Sequence, residues 1–407
     1  MSEPDFAADQ HQSLRVFLVV GEESGDQLGA GLMRALRQRL AGQVEFAGLG
    51  GDAMAAEGLT SLFPLADIAL MGFVSIARHA PTLFWRLRDM SQAAIAAQPD
   101  VLVIIDSPDF THRVARRVRK AAPHIPIIDY VSPSVWAWRS GRARAMRSYV
   151  DRVLALLPFE PAVHERLGGP PCTYIGHPLA ETVQALRPNA VEAQRRAADP
   201  PLLLVLPGSR RSEIRRLAAP FAETIERLNA SNGPLEIVLP TLPHLVREVE
   251  AITASWKVRP RLLVDPAEKQ AAFRVARAAL AASGTVTLEL ALAQIPTVAA
   301  YRTAAIEALI LRQLIRVHSV ILANLVLGEN IVPEFLQEDC TPDRLAAALA
   351  PLLHDSPERR RQVDAFARLD GIMQIGVMNP SVKAAEAVIE IAQSHKDQRS
   401  RGASPRV

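Results

Sequence analysis

Short apolar runs alternate with amphipathic stretches along the first half of the chain. The clearest run is Val101–Ile105, which consists of five consecutive branched aliphatic residues. Such a run is typical of a strand whose two faces are both buried, as in a parallel sheet. Because helical patterns separate several of these runs, the first half is expected to form right-handed βαβ units. Further strands are predicted at Val16–Val20, Val44–Ala47, Ile127–Val131 and Val153–Leu157.

The alternation pauses over 187–201, a stretch rich in Ala, Arg and Pro, and then resumes at Leu202–Leu206. The later strands of this second set are predicted at Ile237–Leu239, Arg261–Val264, Ala278–Ala281 and Thr297–Ala300. A chain of 407 residues exceeds the size at which a single core stops growing. The sequence therefore predicts an α/β protein of two Rossmann-like domains.

The predicted domain boundaries follow from these two sets of strands. The first domain is expected at 14–195 and the second at 196–370. A helix within 371–395 is expected to pack back on the first domain. Polar or basic tails at 1–13 and 396–407 are expected to be disordered.

Composition and charge argue against several classes of protein. With 46 basic and 43 acidic residues the net charge is only +3, so binding to nucleic acid is not expected. The two cysteines have no paired spacing, which argues against a disulfide framework or a zinc site. No metal and no cofactor are expected. The N-terminus lacks the pattern of a secretory signal, so a cytoplasmic location is expected.

One segment resembles a membrane span, because residues 278–301 contain no Lys, Arg or Asp. Glu289 lies within it, however, and Ser283, Gly284 and Pro296 interrupt it. A buried strand-turn-helix-strand unit explains these interruptions better than a transmembrane helix does.

The strand Val101–Ile105 ends on Asp106, and Pro108 prevents any continuation of the ladder. Ligands of open α/β sheets bind beyond the carboxyl ends of the strands. Asp106 is therefore a candidate catalytic residue, and Asp109 could contact a substrate. The alternative is that the acids only cap the next helix.

Two glycine-rich segments follow the first two strands. The loop Gly21-Glu-Glu-Ser-Gly-Asp-Gln-Leu-Gly29 is too acidic for phosphate, so Glu22, Ser24 and Asp26 are candidates to bind a sugar hydroxyl or amine. A plain strand-to-helix turn remains the alternative. Gly48-Leu-Gly-Gly-Asp-Ala53 matches the dinucleotide fingerprint weakly, because it follows the second strand and not the first.

Two strand-to-helix turns in the second half are typical of phosphate sites. In Leu206-Pro-Gly-Ser-Arg210, Gly208 and Ser209 offer backbone N–H groups and Arg210 offers a guanidinium, unless it merely pairs with Glu213. Ala282-Ser-Gly-Thr-Val-Thr-Leu-Glu289 repeats the device, with Ser283, Gly284 and Thr285 at the turn. Glu289 could accept hydrogen bonds from a ribose, or pair with a core Arg. Together these turns predict a bound nucleoside diphosphate, with Asp106 facing it across an interdomain cleft for glycosyl transfer.

Several motifs resemble those of the lipid-A-disaccharide synthase family, the most specific being Tyr-Val-Ser-Pro-Ser-Val-Trp-Ala-Trp-Arg at 130–139. The others are GEESGD at 21–26, IDSPDF at 105–110, LPFE at 157–160, YIGHP at 174–178, LPGSR at 206–210, SGTVTLE at 283–289, NLVLG at 324–328 and VPEFLQ at 332–337. The resemblance spans roughly residues 15–395.

This resemblance implies a GT-B-like glycosyltransferase that inverts the anomeric centre. It would join UDP-2,3-diacylglucosamine to 2,3-diacylglucosamine 1-phosphate (lipid X), giving the β-1,6-linked disaccharide 1-phosphate and UDP. By motif, Asp106 is the expected general base, and Arg210, Glu289 and Asn324 are expected to line the UDP site. The resemblance is compatible with a homo-oligomer.

Acyl chains need an apolar surface, for which the segment 68–77 and the residues after it are candidates. Met71, Phe73, Phe84 and Trp85 could contact acyl chains or the cytoplasmic surface of the inner membrane, to which the protein would bind peripherally. The alternative is ordinary core packing.

Two alternative functions remain. The first is that of another UDP-sugar enzyme of the same fold, such as a peptidoglycan precursor transferase or a UDP-N-acetylglucosamine 2-epimerase. The second is that of a catalytically inactive UDP-sugar-binding membrane scaffold.

Overall fold

The computed structural model describes residues 13–69, 76–303, 319–377 and 379–402. The chain folds into two compact units, which we call the N-terminal unit (residues 1–178 and 378–407) and the C-terminal unit (residues 179–377). Each unit contains one parallel six-stranded sheet, which confirms the predicted α/β class.

The N-terminal sheet has the strand order β2-β1-β3-β4-β5-β6, and all its neighbouring strands are parallel. Its strands are β1 (Leu14–Val20), β2 (Val44–Leu49), β3 (Val101–Ile105), β4 (Ile127–Tyr130), β5 (Arg152–Ala155) and β6 (Cys172–Tyr174). The helices of this unit are α1 (Glu23–Arg39), α2 (Asp52–Ala56), α3 (Ala66–Ala69), α4 (Ile76–Ala97), α5 (Pro108–Ala121), α6 (Gly141–Met146), α7 (Glu160–Arg166) and, at the end of the chain, α17 (Pro380–Gly402).

Strand β3 consists of aliphatic residues only, because both of its faces are buried. Val101, Val103 and Ile105 pack into the core on the side of α1 and α17. Leu102 and Ile104 face the opposite side and pack with residues of α4 and α5. All five residues are fully buried, because successive side chains of a strand point to opposite faces.

The C-terminal sheet has the order β12-β11-β10-β7-β8-β9, and its neighbouring strands are also all parallel. Its strands are β7 (Leu202–Leu206), β8 (Glu236–Pro240), β9 (Arg261–Leu263), β10 (Ala278–Ala282), β11 (Thr297–Tyr301) and β12 (Glu334–Leu336). Its helices are α8 (Leu179–Thr182), α9 (Ala190–Ala197), α10 (Arg211–Asn232), α11 (Val246–Thr253), α12 (Pro266–Val275), α13 (Thr285–Leu292), α14 (Leu322–Leu327), α15 (Pro342–Leu349) and α16 (Pro357–Ile372). Single 3₁₀ turns occur at Val183–Leu186, Pro243–Leu245, Gln337–Asp339 and Ala350–Leu353.

The segment that resembled a membrane span is strand β10, helix α13 and strand β11, as predicted. Within the described ranges, no helix combines the length and the apolar composition that crossing a bilayer would require.

The two units divide at Pro178 and Leu179, earlier than the boundary expected near residue 195. Two arginines hold the intervening segment on the C-terminal unit. Arg187 donates to the Leu292 carbonyl and to Asp370, and Arg196 donates to backbone carbonyls at the ends of α12 and α13. A composition change marked the segment, but its side chains decide to which unit it belongs.

Helix α17 returns to the N-terminal unit. Val388 and Ile391 lie in the same core cluster as Met33 of α1. The helix continues through residue 402, past the end expected at 395, and Lys396 forms an ion pair of 3.1 Å with Asp100. Of the tails expected to be disordered, residues 1–12 and 403–407 lie outside the described residues.

Candidate active site

A cavity of about 840 Å³ lies in the C-terminal unit at the carboxyl ends of its strands. The last residues of β7, β8, β10, β11 and β12 all line it, because parallel strands end at one edge of a sheet. Seven of the eight residues expected at the UDP site also line it: Gly208, Ser209, Arg210, Ser283, Gly284, Thr285 and Glu289. The eighth, Asn324, does not.

The turn between β7 and α10 depends on Gly208. Its φ of +116° lies in the region that favours glycine, and a Cβ there would come within 2.5 Å of Glu213 Oε2. Glu213 also accepts a 3.4 Å hydrogen bond from Arg210 Nη1, so the simple ion pair considered from the sequence does form. The Arg210 side chain is nevertheless 73% exposed, and it lines the cavity. This turn can therefore present a guanidinium and backbone N–H groups to an anion.

The turn between β10 and α13 has the same design. Ser283 N–H donates to the Ala300 carbonyl at 2.9 Å, which fixes the turn to β11. Thr287 Oγ1 donates to the Gly284 carbonyl at 2.7 Å and closes the first turn of α13. The helix begins at Thr285, so its N-terminal end meets the cavity and favours negative charge there.

Glu289 lines the cavity on α13 with a mostly buried side chain. Lys269 of α12 donates to both of its carboxylate oxygens, at 3.0 and 3.3 Å. The sequence considered a core Arg as the partner of Glu289, and the structure supplies a lysine. This ion pair orients the carboxylate at the cavity wall.

Asn324 lies behind the cavity wall, which differs from the expected direct contact. Its side chain is fully buried and accepts hydrogen bonds from the N–H groups of Ile331 and Val332 at 3.0 and 2.9 Å. Its amide nitrogen donates to Ser319 Oγ at 3.2 Å and to the Val332 carbonyl at 3.0 Å. Because Ser319 lines the cavity, Asn324 holds that part of the wall in place.

The cavity also contains polar side chains that sequence reasoning missed. These residues are Thr241, Lys269, Ser319, Glu334 and Gln337. Glu334 and Gln337 belong to the VPEFLQ motif, from which no role for them was inferred. No motif marks Thr241, Lys269 or Ser319, and only the fold brings these five side chains together.

In the N-terminal unit, Asp106 follows β3 in a left-handed conformation with φ of +55°. Its Oδ2 accepts a 2.9 Å hydrogen bond from Ser24 Oγ, and its Oδ1 accepts a 2.7 Å bond from the Ser107 N–H. The backbone N–H of Asp106 donates to the Tyr130 carbonyl of β4. The structure thus brings Ser24 and Asp106 together at the carboxyl edge of the sheet.

The other acids expected near the sugar have different positions. Asp26 is buried and accepts hydrogen bonds from the N–H groups of Gly51, Ala53 and Met54 at 2.7, 2.8 and 3.1 Å. It therefore caps α2, which corrects its assignment to substrate. Its carboxylate also occupies the place that a phosphate would need at the dinucleotide-like motif. Glu22 is exposed, and Asp109 is exposed and pairs with Arg142 at 3.1 Å.

Two motifs of the sequence analysis meet at a buried acid. Trp136 Nε1 donates to Glu160 Oε1 at 3.2 Å, and the Leu157 N–H donates to Oε2 at 2.9 Å. Burial raises the pKa of Glu160 to about 7, although both hydrogen bonds oppose this shift. Nearby, Ser132 Oγ lies 2.8 Å from His164 Nε2. These contacts tie the loop after β4 to helix α7.

The apolar residues expected at a lipid surface are partly described. Phe84 and Trp85 of α4 are each 54% exposed, and their rings meet edge to face at 5.8 Å. Arg117 lies over Phe84 at 5.6 Å and Arg88 over Trp85 at 5.5 Å. Met71 and Phe73 lie outside the described residues.

Solved structures similar to this chain share its fold. The UDP-GlcNAc 2-epimerase of Neisseria meningitidis, solved with UDP-GlcNAc, gives a TM-score of 0.62 at 12% identity, covering 93% of this chain and 100% of the other. MurG of Acinetobacter baumannii gives 0.57 at 13% identity, covering 93% and 99%. These likenesses place the fold in the GT-B class.

Comparison of sequences identifies the family. The profile described as lipid-A-disaccharide synthetase matches residues 16–388. The lipid-A-disaccharide synthase of Nitrobacter winogradskyi is 62% identical over 383 residues, covering 94% of this chain and 97% of its own. That of Rhodospirillum centenum is 46% identical over 381 residues, covering 93% and 94%. The chain therefore belongs to the lipid-A-disaccharide synthase family of glycosyltransferases.

Proposed function

We propose that the protein transfers a 2,3-diacylglucosamine unit from its UDP derivative to the 6-hydroxyl of 2,3-diacylglucosamine 1-phosphate. The products are the β-1,6-linked disaccharide 1-phosphate and UDP. The observation that carries the proposal is the cavity of the C-terminal unit, where two phosphate-type turns and Glu289 line one space. Family membership agrees with this choice of substrates.

In this proposal the C-terminal cavity binds the UDP part of the donor. Arg210 and the N–H groups of the two turns would meet the diphosphate, and the Glu289 carboxylate would accept hydrogen bonds from the ribose hydroxyls. Negative charge develops on the diphosphate as the glycosidic bond breaks. Cationic and N–H donors that are already in position stabilise that charge without reorganisation.

Asp106 is the proposed general base. Its carboxylate would take the proton from the acceptor's 6-hydroxyl as that oxygen attacks the anomeric carbon of the donor, and UDP would leave from the opposite face. The bonds from Ser24 and Ser107 hold the carboxylate in one orientation. A base positioned in this way contributes about 10²–10⁴-fold to the rate.

The proposed contact with lipid is the face formed by the exposed residues Phe84, Trp85 and Arg88 and the half-buried Arg117. Aromatic side chains suit the boundary between acyl chains and headgroups, and arginines suit anionic headgroups. The protein would then bind the cytoplasmic surface of the inner membrane peripherally and take both lipid substrates from it.

The test is mass spectrometry of the lipids formed by purified protein from the two substrates. We expect a disaccharide 1-phosphate, a matching release of UDP, and a β anomeric configuration by NMR. No product should form when the acceptor is left out. Epimerised UDP-sugar in that control would instead support the epimerase alternative, and binding of UDP without any conversion would support the inactive scaffold.

A further inference from the structure

The loop after β4, residues 131–140, begins beside the proposed base. Strands β3 and β4 are paired with Ile105 opposite Tyr130, and the Asp106 N–H donates to the Tyr130 carbonyl at 3.1 Å. The loop therefore leaves the sheet at the same edge as Asp106. It belongs to the most specific motif of the sequence, and the proposed mechanism assigns it no role.

Two guanidinium groups from this loop and the helix after it converge on one carboxylate. Arg142 Nη2 donates to Asp109 Oδ1 at 3.1 Å, and Arg139 Nη1 lies 3.8 Å from the same oxygen. The Arg142 side chain is only 17% exposed, whereas that of Asp109 is 74% exposed. Two cations against one solvent-facing acid leave a net positive charge at this position.

An aromatic surface lies next to these cations. The Arg139 guanidinium lies over the ring of Trp138 at 4.3 Å, and Trp138 is half-buried. A partly open indole ring offers a flat apolar face, which packs well against the C–H groups of a sugar ring.

The backbone around this position is strained at several residues that are not glycine. Asp106, Ser107, Val131 and Arg139 have φ values of +55°, +45°, +89° and +48°. Such conformations are unfavourable for residues that carry a Cβ, and they concentrate at binding and catalytic sites. For a β-branched residue such as Val131 the conformation is a genuine outlier. The strain indicates that this edge is held in a fixed shape.

We propose that Arg139 and Arg142 bind the phosphate of the acceptor sugar, with Trp138 against the sugar ring. This inference rests on the proposed function, because it takes a sugar 1-phosphate as the acceptor. Asp109 holds the two guanidinium groups until the phosphate, with more charge and more acceptor oxygens, replaces it. Asp109 follows Asp106 by three residues, so the Cα atoms of the two acids lie at most about 11 Å apart. The proposal requires the acceptor sugar to bridge the base and the two arginines.

The ligand chemistry is a phosphate monoester or diester, so a membrane phospholipid is a second source of the same group. The test compares glucosamine 1-phosphate with glucosamine in ligand-observed NMR titrations, and measures binding to phosphatidylglycerol vesicles separately. The proteins are wild type, Arg139→Gln, the double variant Arg139→Gln/Arg142→Gln, and the control Arg144→Gln. Arg144 is an exposed residue on the same helix.

We expect the wild type to bind glucosamine 1-phosphate at least about tenfold more tightly than glucosamine. The double variant should lose this preference, Arg139→Gln should lose part of it, and Arg144→Gln should keep it. Arg139 is half-exposed, so the single variant remains informative if the double variant unfolds. With the full substrates, the double variant should raise KM for the acceptor and leave KM for the donor unchanged.

Equal binding of the two sugars by the wild type would overturn the inference. So would a double variant that loses only vesicle binding, because the arginines would then contact phospholipid. If the wild type prefers glucosamine 1-phosphate through these arginines but forms no disaccharide, the proposed function fails and the phosphate site stands.

Discussion

At the scale of single residues, Glu289 and Lys269 form the ion pair of the nucleotide cavity. The carboxylate is mostly buried, and Lys269 is its cationic partner at 3.0 Å. A carboxylate fixed in this way can accept hydrogen bonds from two neighbouring hydroxyl groups, whereas an amide in its place also presents donors.

Glu289→Gln should therefore weaken the binding of UDP more than that of 2′-deoxy-UDP. The wild type should prefer UDP, and the variant should reduce that preference by about tenfold, as expected for a lost hydrogen bond to a charged group. Calorimetric titration with both nucleotides measures the ratio. Glu268→Gln, an exposed acid on α12, is the matched control. An unchanged ratio in Glu289→Gln would refute the contact with ribose.

Glu160 predicts a pH dependence of stability. Burial raises its pKa from 4.5 to about 7 in the folded protein, so folding favours the protonated acid. Its contribution to stability is fully present below pH 4.5 and is lost as the pH rises through about 7. Burial also lowers the pKa of His177 from 6.5 to about 4 in the folded protein, so folding favours the neutral imidazole. The contribution of His177 to stability is therefore lost as the pH falls, whereas that of Glu160 is lost as the pH rises.

Glu160→Gln should remove the part of the pH dependence that Glu160 causes. Relative to the variant, the wild type should lose roughly 3 kcal/mol of stability between pH 4.5 and pH 8. The stability of the N-terminal unit is measured by hydrogen exchange of the amides of β4 and β5, across a urea series at several pH values. Glu165→Gln, an exposed acid on α7, should keep the wild-type slope. Parallel curves for wild type and Glu160→Gln would contradict the assignment.

Positions at the cavity could be predicted from the sequence where a strand-to-helix turn or the helix that follows it sets them, as for Arg210 and Glu289. Gly208 and Ser283 line the cavity as expected, because a strand-to-helix turn fixes their positions. Asp26 and Asn324 do not have the positions expected from the sequence, because a side chain binds whichever groups the fold places near it. The partners of Asp26 lie 25 to 28 residues away in sequence, and no local pattern marks them.

At the scale of elements, helix α17 packs on the N-terminal unit although it follows the C-terminal unit in sequence. Val388, Ile391 and Ala392 are buried in the cluster that contains Met33 and Leu36 of α1. Glu386 pairs with Arg39, and Glu390 lies 3.6 Å from Arg152. The apolar spacing predicted a helix, but its partner depends on contacts between distant segments.

Ile391→Ala should destabilise the N-terminal unit by about 2–5 kcal/mol, because it leaves a cavity beside α1. Hydrogen exchange of α1 and β1 should become faster, and exchange of β7 and α10 should stay unchanged. Lys383→Ala, at an exposed position of the same helix, should have little effect on either unit. Faster exchange confined to the C-terminal unit would contradict this packing.

Helix α4 leaves about half of the Phe84 and Trp85 surface exposed to solvent, so this apolar surface is not buried within the unit. Trp85→Glu should weaken binding to phosphatidylglycerol vesicles by about tenfold or more, because it removes the ring and adds repulsion. It should change Tm by about 2 °C or less. Co-sedimentation and thermal melts measure both quantities.

Val191→Glu is the control for Trp85→Glu, because Val191 is an exposed apolar residue on the C-terminal unit. Its vesicle binding should match that of the wild type. Equal losses in the two variants would indicate a general charge effect and would remove the support for a lipid contact on α4.

At the scale of the whole molecule, the chain forms two units with parallel sheets and divides the proposed chemistry between them. The N-terminal unit contains the candidate base, and the C-terminal unit contains the nucleotide cavity. Two repeated sets of strands predicted this architecture, since a buried parallel strand needs a continuous aliphatic run. The boundary at residue 178 was not predicted, because long side chains such as Arg187 and Arg196 assign the linking segment to the second unit.

We propose that Asp106 takes a proton from the acceptor while other residues bind UDP. Asp106→Asn tests it most directly, because Asn tolerates φ of +55° and keeps the size of the side chain. The measurement is the initial rate of disaccharide formation from labelled donor, together with the Kd for UDP by calorimetry. Asp52→Asn, an exposed acid of the same unit, is the control. We expect a rate about 10²–10⁴-fold lower in Asp106→Asn, with unchanged affinity for UDP. A rate near that of the wild type would contradict it.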